Sequence, residues 1–138
     1  MKKFACLFVL LSLAAALLTA CGGSALSCGS GSRSSSGSSG GSTPTVHMCG
    51  NYFAQSSITM SKGQSLTLVD DSSTGHSIAN GSWVNGSAQP KQEPGASAVN
   101  NLQINGNTSR TIGPFTTAGT YHLYCTWHPG MNLRVIVQ

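Results

Sequence analysis

Three side chains that bind soft metals lie within seven residues, close to the end of this 138-residue chain. Cys125 offers a thiolate, His128 an imidazole and Met131 a thioether. Thiolate and thioether sulfur beside imidazole suit copper, and a blue-copper site combines two His and one Cys with a weak axial Met. The spacing therefore predicts three of the four ligands of a copper site.

Two strand-like runs flank these ligands. Residues 121–125 lead into them, and residues 133–137 lead out with an alternating apolar pattern. Pro129 and Gly130 lie between the runs and favour a turn. A tight turn between two strands can hold three ligand groups around one point.

The residues from 119 to 137 resemble the C-terminal end of the plastocyanin–azurin family, the cupredoxins, and residues 57–79 resemble it more loosely. The spacing C-x2-H-x2-M is short for that family and is similar to that of amicyanin. This resemblance implies a cupredoxin-like Greek-key β-sandwich that holds one type 1 copper ion. It also implies a carrier of single electrons rather than an enzyme.

The rest of the chain favours the same fold class. Short alternating runs separated by turn residues, with no helical period, are typical of an all-β sandwich. Asn105-Gly106 is a hairpin-type turn signal, with a further strand from 108 to 112. Residues 80–100 are rich in Gly, Asn and Pro and are predicted to form a long loop, with Trp83 as part of its small apolar content.

His76 is the predicted fourth ligand. It follows a hydrophobic strand and a polar turn, and it matches the position of the upstream histidine in the cupredoxins. The alternative is that His76 is a turn residue and that His47, expected near a sheet edge, binds the metal. His122 is expected on the surface, since alternation turns it away from the face of Cys125. Cupredoxins often carry Asn after the upstream histidine, where this chain has Ser77.

The ligand loop also suggests a route for electrons. Trp127 and Pro129 would form a small apolar patch around the edge of His128. By resemblance to plastocyanin, Tyr124 points outward and offers a second route. The alternative is that Trp127 and Tyr124 are ordinary aromatic residues at the rim.

The first 45 residues are predicted to serve export and anchoring. Residues 1–20 read as a signal peptide, with a positive start, an apolar run and small residues before Cys21. Their ending resembles the lipobox of bacterial lipoproteins, which implies that Cys21 is lipidated. Residues 21–45 are predicted to be a flexible Gly/Ser linker, and residues 46–138 the copper domain.

The roles of two of the five cysteines, Cys28 and Cys49, have two interpretations. Of the five cysteines, Cys6 lies in the signal peptide, and Cys21 and Cys125 have the roles given above. One interpretation pairs Cys28 with Cys49, because disulfides form outside the cytoplasm. The other interpretation makes the run from 47 to 49, His-Met-Cys, an auxiliary site for a soft metal.

Charge excludes one class of partner. The formal charge is +4, but three of the cations, Lys2, Lys3 and Arg33, lie in the predicted signal peptide and linker. The remaining four Lys and Arg residues face three carboxylates, so the folded part is nearly neutral and carries no cluster that would bind nucleic acid.

The sequence therefore predicts a monomeric blue copper protein, exported and anchored to the cell membrane through Cys21. Its partners would be redox proteins of an extracytoplasmic or membrane electron-transfer chain. The alternative function is an extracytoplasmic copper store or delivery protein that uses the same ligands without redox turnover.

Overall fold

A computed structural model of the protein describes Cys28 and residues 42–138. The predicted signal peptide, the lipidation site at Cys21 and most of the predicted linker lie outside the described residues. Within that described part, no helix is long and apolar enough to cross a membrane.

The described residues form ten β-strands joined by turns and loops, and no helix occurs among them. Side chains alternate between the two faces of each strand, and in the strands Leu66–Asp70 and Asn132–Val137 every second residue is buried. In chain order the strands are β1 (Thr45–Cys49), β2 (Tyr52–Phe53), β3 (Ser57–Met60), β4 (Leu66–Asp70), β5 (His76–Val84), β6 (Ser87–Pro90), β7 (Leu102–Ile104), β8 (Ser109–Ile112), β9 (Gly119–Cys125) and β10 (Asn132–Val137).

The strands form two sheets that share one core. The first has the order β2-β1-β4-β8, and the second has the order β3-β10-β9-β5-β6, with β7 also paired to β5. β1 runs parallel to β4 and β3 runs parallel to β10, whereas the other pairs are antiparallel. The predicted all-β sandwich is confirmed.

Alternation in two strands leads directly from the core to the predicted metal site. Leu66 and Leu68 of β4 and Leu123 of β9 are fully buried in the core cluster. The next inward position of β4 is Asp70, which is 1% exposed, and the next inward position of β9 is Cys125, which is fully buried. The same apolar faces therefore carry one carboxylate and one thiol inward at the strand ends.

The long loop predicted for residues 80–100 is wrong in its first half. β5 runs on to Val84, and Asn85 and Gly86 turn the chain into β6, which pairs with β5. Both turn residues have positive φ, 49° and 77°. Asn-Gly is the preferred pair for a two-residue hairpin turn that needs positive φ twice. Asn85-Gly86 is thus a hairpin signal within a stretch whose composition is typical of a loop.

The second Asn-Gly pair does not make the predicted hairpin. β7 precedes Asn105-Gly106 and pairs with β5, whereas β8 follows it and pairs with β4. The turn therefore carries the chain from one sheet to the other. A Cβ on Gly106 would collide with the backbone of Ser73, so this crossing packs closely on the turn after β4.

Candidate metal centre

The loop between β9 and β10 is closed by its own backbone. The N–H of Cys125 donates to the carbonyl of Met131 over 3.0 Å, and the N–H of Met131 donates to the carbonyl of His128 over 3.1 Å. Gly130 takes a φ of 82°, a left-handed value that glycine adopts without a steric cost. These contacts fix the positions of the three loop ligands relative to each other.

Two of the three loop ligands are buried against the core, and the third is partly exposed. The Sγ atom of Cys125 is 3.3 Å from Nδ1 of His128. Cys125 is fully buried and Met131 is 2% exposed, whereas His128 is partly exposed. Cys125 is the one free cysteine among the residues described, so its thiol is available to a metal.

His76 reaches this loop from the start of β5. The ligand atoms of His76, Cys125 and His128 all lie within 4.8 Å of one another. The two imidazole rings meet edge to face, with centroids 5.0 Å apart and planes at 67°. The pairing of Ile78 with Cys125 sets this position, because it brings the beginning of β5 beside the end of β9.

The structure places His47 elsewhere. Its Nδ1 lies 2.7 Å from Oδ2 of Asp71, and both side chains are about one-third exposed, at 35% and 32%. β1 lies next to the edge strand β2, which pairs only with Met48 and Cys49, so His47 lies close to the edge of this sheet. His47, the alternative ligand, is therefore paired with a surface carboxylate and is not part of the cluster of His76, Cys125 and His128.

The next two residues of β1 have structural roles. Cys49 forms a disulfide with Cys28, and Met48 is fully buried in the core. The run from 47 to 49 thus divides its side chains among an ion pair, the core and a disulfide. It does not form an auxiliary soft-metal site in this state.

His122 lies on the outer face of β9, as alternation predicts. Its side chain is 43% exposed, and its Nδ1 is 2.8 Å from Oε1 of Glu93. Partial burial acts to raise the pKa of Glu93, but hydrogen bonds to its carboxylate, that with the His122 side chain first among them, outweigh burial and lower this pKa. This pair ties the segment after β6 to β9, away from the metal cluster.

The environment of His76 keeps it in the form that a metal needs. Its ring is fully buried, and neither ring nitrogen has a hydrogen-bond partner. Burial lowers the pKa of His76, the nearby Asp70 raises it, and His128 lowers it, with a net fall. The imidazole is therefore neutral at pH 7, which is the ligand form.

Ser77 connects the two halves of the site through its backbone. The N–H of Thr126 donates to the carbonyl of Ser77 over 2.7 Å, and the Thr126 hydroxyl donates to the same oxygen over 3.3 Å. Although Ser77 is shorter than the Asn that cupredoxins often carry at this position, its backbone carbonyl links β5 directly to the ligand loop. Such links hold metal ligands in place.

Two residues that support the site were not identified from sequence. Trp83 donates from Nε1 to the carbonyl of Cys125 over 2.8 Å, and Asp70 faces the ring of His76 at 3.6 Å. Trp83 lies in the segment that was predicted to be a loop, and a loop gives no reason to expect a fixed contact with β9. The second was visible in the alternation of Leu66, Leu68 and Asp70, which turns all three to the core.

The surface around the loop is apolar. Trp127 is 55% exposed, and Pro129 and Gly130 are also exposed beside the partly exposed His128. The second electron route expected through Tyr124 does not reach the surface, because Tyr124 is only 3% exposed. Alternation does turn it away from the core, but Trp83 covers it edge to face, with centroids 6.0 Å apart.

The residues present fit a copper ion. The two ring nitrogens of His76 are buried without a partner, which is costly unless a further group satisfies them. The imidazole of His128 and the free thiol of Cys125 converge on the same point, and the thioether of Met131 is buried in the same loop. Thiolate, two imidazoles and a thioether make up the donor set of a type 1 copper site.

Comparison with known proteins agrees with this donor set. The family described as copper binding proteins, plastocyanin/azurin family, matches residues 45–138. No curated protein sequence matches the chain.

Solved structures of amicyanin have a similar fold. Amicyanin from Paracoccus versutus (Thiobacillus versutus) aligns with a TM-score of 0.54 and 20% identity, covering 70% of this chain and 81% of that one. A reduced Cu(I) form of an amicyanin variant at pH 4 aligns with a TM-score of 0.55 and 22% identity, covering 72% and 85%. The cupredoxin-like sandwich and copper as the cofactor are confirmed, with His76, Cys125, His128 and Met131 as the site. The chain belongs to the plastocyanin/azurin family of copper-binding proteins.

Proposed function

We propose that this protein carries single electrons between extracytoplasmic redox partners while anchored to a membrane. The observation that carries the proposal is the convergence of His76, Cys125 and His128, whose ligand atoms lie within 4.8 Å of one another. This donor set, with Met131 beside it, is that of blue-copper electron transfer. When bound, copper supplies one-electron cycling between Cu(I) and Cu(II), and no substrate bond is made or broken.

The protein's part is to keep these donors still. Backbone hydrogen bonds close the ligand loop, and Thr126 ties the loop to the carbonyl of Ser77. Cys125 and His76 are fully buried at the ends of paired strands. A site that changes little between oxidation states favours fast transfer of an electron.

The exposed edge of the loop suits brief encounters. Trp127, Pro129 and Gly130 surround His128, whose imidazole is the partly exposed ligand. Weak redox complexes bury small interfaces, and an apolar patch of a few residues serves that purpose. The nearly balanced charge of the folded part gives little long-range steering toward a charged partner.

The anchor belongs to the same proposal. Small residues followed by Cys21, after an apolar run, support export and lipidation. A lipid-linked N-terminus would keep the copper domain at the extracytoplasmic face, within reach of membrane-bound partners. Cys21 lies outside the described residues, so its sequence pattern alone supports this step.

The first test compares the full-length protein with Cys125→Ser after addition of Cu(II). We expect an intense blue absorption band, narrow copper hyperfine splitting and a reversible one-electron wave, all lost in the variant. Copper bound without the band or the wave would point to the alternative, a store or delivery protein. The double variant Cys28→Ser, Cys49→Ser is the control, because both cysteines lie outside the cluster of His76, Cys125 and His128 and no unpaired thiol is left at the disulfide.

The second test addresses the anchor. Cells that express the protein are labelled with a radioactive fatty acid and fractionated, with Cys21→Ser as the comparison. We expect label and membrane association in the unaltered protein and neither in the variant. Equal membrane association of both would contradict lipid anchoring and leave the copper chemistry untouched.

A further inference from the structure

A buried carboxylate lies behind the upstream histidine ligand. Asp70 ends β4 and is 1% exposed, because it continues the inward alternation of Leu66 and Leu68. Its Oδ2 atom is 3.6 Å from Nε2 of His76, and both side chains are fully shielded from solvent. A carboxylate in such a place needs partners, since burial of an unpaired charge is costly.

One oxygen of this carboxylate is held and the other is not. Oδ1 accepts hydrogen bonds from the backbone N–H of Ser72 over 2.9 Å and from its hydroxyl over 2.8 Å. Oδ2 has no hydrogen-bond partner, and neither has Nε2 of His76 opposite it. The Ser72 contacts therefore fix the carboxylate with its free oxygen toward the imidazole.

The separation of 3.6 Å is too long for a hydrogen bond. A shift of well under 1 Å would close it, and it would satisfy two buried polar atoms at once. Since Nε2 of His76 faces Asp70, the other ring nitrogen, Nδ1, is left for the metal. His128 also presents Nδ1 to the thiol of Cys125, so the two imidazoles would bind through the same type of atom.

We propose that Asp70 is a positioning residue of the copper site: its carboxylate accepts the Nε2–H of metal-bound His76 and lowers the reduction potential. An acceptor at Nε2 fixes the tautomer that leaves Nδ1 free to bind, and it raises the basicity of the ligand. The negative charge also stabilises Cu(II) more than Cu(I), because the oxidised ion carries one more positive charge.

The adjacent residue provides a matched control. Asp71 carries the same group one position along the chain, but it is 32% exposed and lies 2.7 Å from His47. Replacing either aspartate by asparagine removes one negative charge in this turn. Solvent screens the exposed carboxylate strongly and the buried one weakly, so the two variants separate a specific contact from a general change in charge.

The experiment measures the affinities of the full-length protein for Cu(II) and Cu(I) by competition with chelators. We expect Asp70→Asn to lower the ratio of Cu(II) to Cu(I) affinity at least about tenfold, which is about 59 mV for a one-electron couple. We expect Asp71→Asn to change it less than about threefold. Equal changes in both variants, or no change in Asp70→Asn, would overturn the proposal.

A second measurement uses the unaltered protein and does not depend on the folding of a variant. In the Cu(I) form, nitrogen-15 NMR should show a proton on Nε2 of His76 that exchanges slowly with water. A proton on Nδ1, with Nε2 bound to the metal, would overturn the proposal. Both measurements rest on the copper site and not on electron transfer or anchoring, so they keep their meaning if the protein stores copper.

Discussion

The indole Nε1 of Trp83 donates a hydrogen bond of 2.8 Å to the backbone carbonyl of Cys125. The amide side chain of Asn132 holds the backbone of the same tryptophan, accepting from its N–H over 2.7 Å and donating to its carbonyl over 3.0 Å. Cys125 ends β9 and Asn132 begins β10, on either side of the ligand loop. Trp83 therefore joins β5 to both ends of the loop that holds the copper ligands.

We expect Trp83→Phe to lower the free energy of unfolding of the copper-free protein by about 1 kcal/mol. Phenylalanine keeps most of the ring that covers Tyr124 but cannot donate to the carbonyl of Cys125. Urea unfolding measures this loss. Trp127→Phe is the control, because its indole is exposed and makes no hydrogen bond within the described part of the chain. An equal effect of both variants would contradict the role of the hydrogen bond.

The local part of the site could be predicted from the spacing of its residues, whereas the distant ligand also required resemblance to a family. Cys125, His128 and Met131 are close in the chain, so a turn between two strands is enough to bring them together. His76 was placed by resemblance to a family, because spacing alone does not fix which strands become neighbours. The sandwich followed from alternation and turn residues, which are local signals.

The predictions that the structure contradicts, on the two Asn-Gly turns and on the exposure of Tyr124, fail for the same physical reason. Asn85-Gly86 and Asn105-Gly106 have the same letters, but the first joins paired strands and the second crosses between sheets. Which outcome occurs depends on strand pairing far along the chain. The burial of Tyr124 likewise depends on Trp83, which lies 41 residues earlier. Such contacts carry no signal in a single sequence.

The disulfide gives a second prediction. Cys28 and Cys49 are 21 residues apart. Closing a loop of that length lowers the entropy of the unfolded chain, which raises the free energy of unfolding by about 3 kcal/mol. We expect the double variant Cys28→Ser, Cys49→Ser to lose about that much free energy of unfolding under non-reducing conditions. Reductant should weaken the unaltered protein to the same level and leave the double variant unchanged. A double variant as stable as the parent would contradict this account.

The pair of Glu93 and His122 gives a prediction for pH. The pKa of Glu93 is lowered below its ordinary value of 4.5, so the folded state binds a proton less readily than the unfolded state. Its contribution to stability is therefore present above pH 4.5 and is lost as the pH falls through the lowered pKa. We expect Glu93→Gln to cost about 0.2–1 kcal/mol at pH 7.

This cost should vanish in acid, where the carboxyl of the unaltered protein is protonated. Urea unfolding at a series of pH values from 7 to 3 measures the difference between the two proteins. A difference that stays constant over the whole range would show that the Glu93 charge is not its source.

The exposed patch around His128 gives the last prediction. Electron self-exchange between reduced and oxidised copies requires the copper sites of two molecules to approach, and Trp127 is the large exposed side chain of the ligand loop. Truncation of an aromatic anchor in an interface commonly costs more than about 1 kcal/mol. We expect Trp127→Ala to slow self-exchange at least about fivefold, measured from NMR line widths in mixtures of the two oxidation states. Tyr52→Ala is the control, since Tyr52 is 50% exposed on β2 of the other sheet. A similar slowing in both variants would place electron entry somewhere other than the ligand loop.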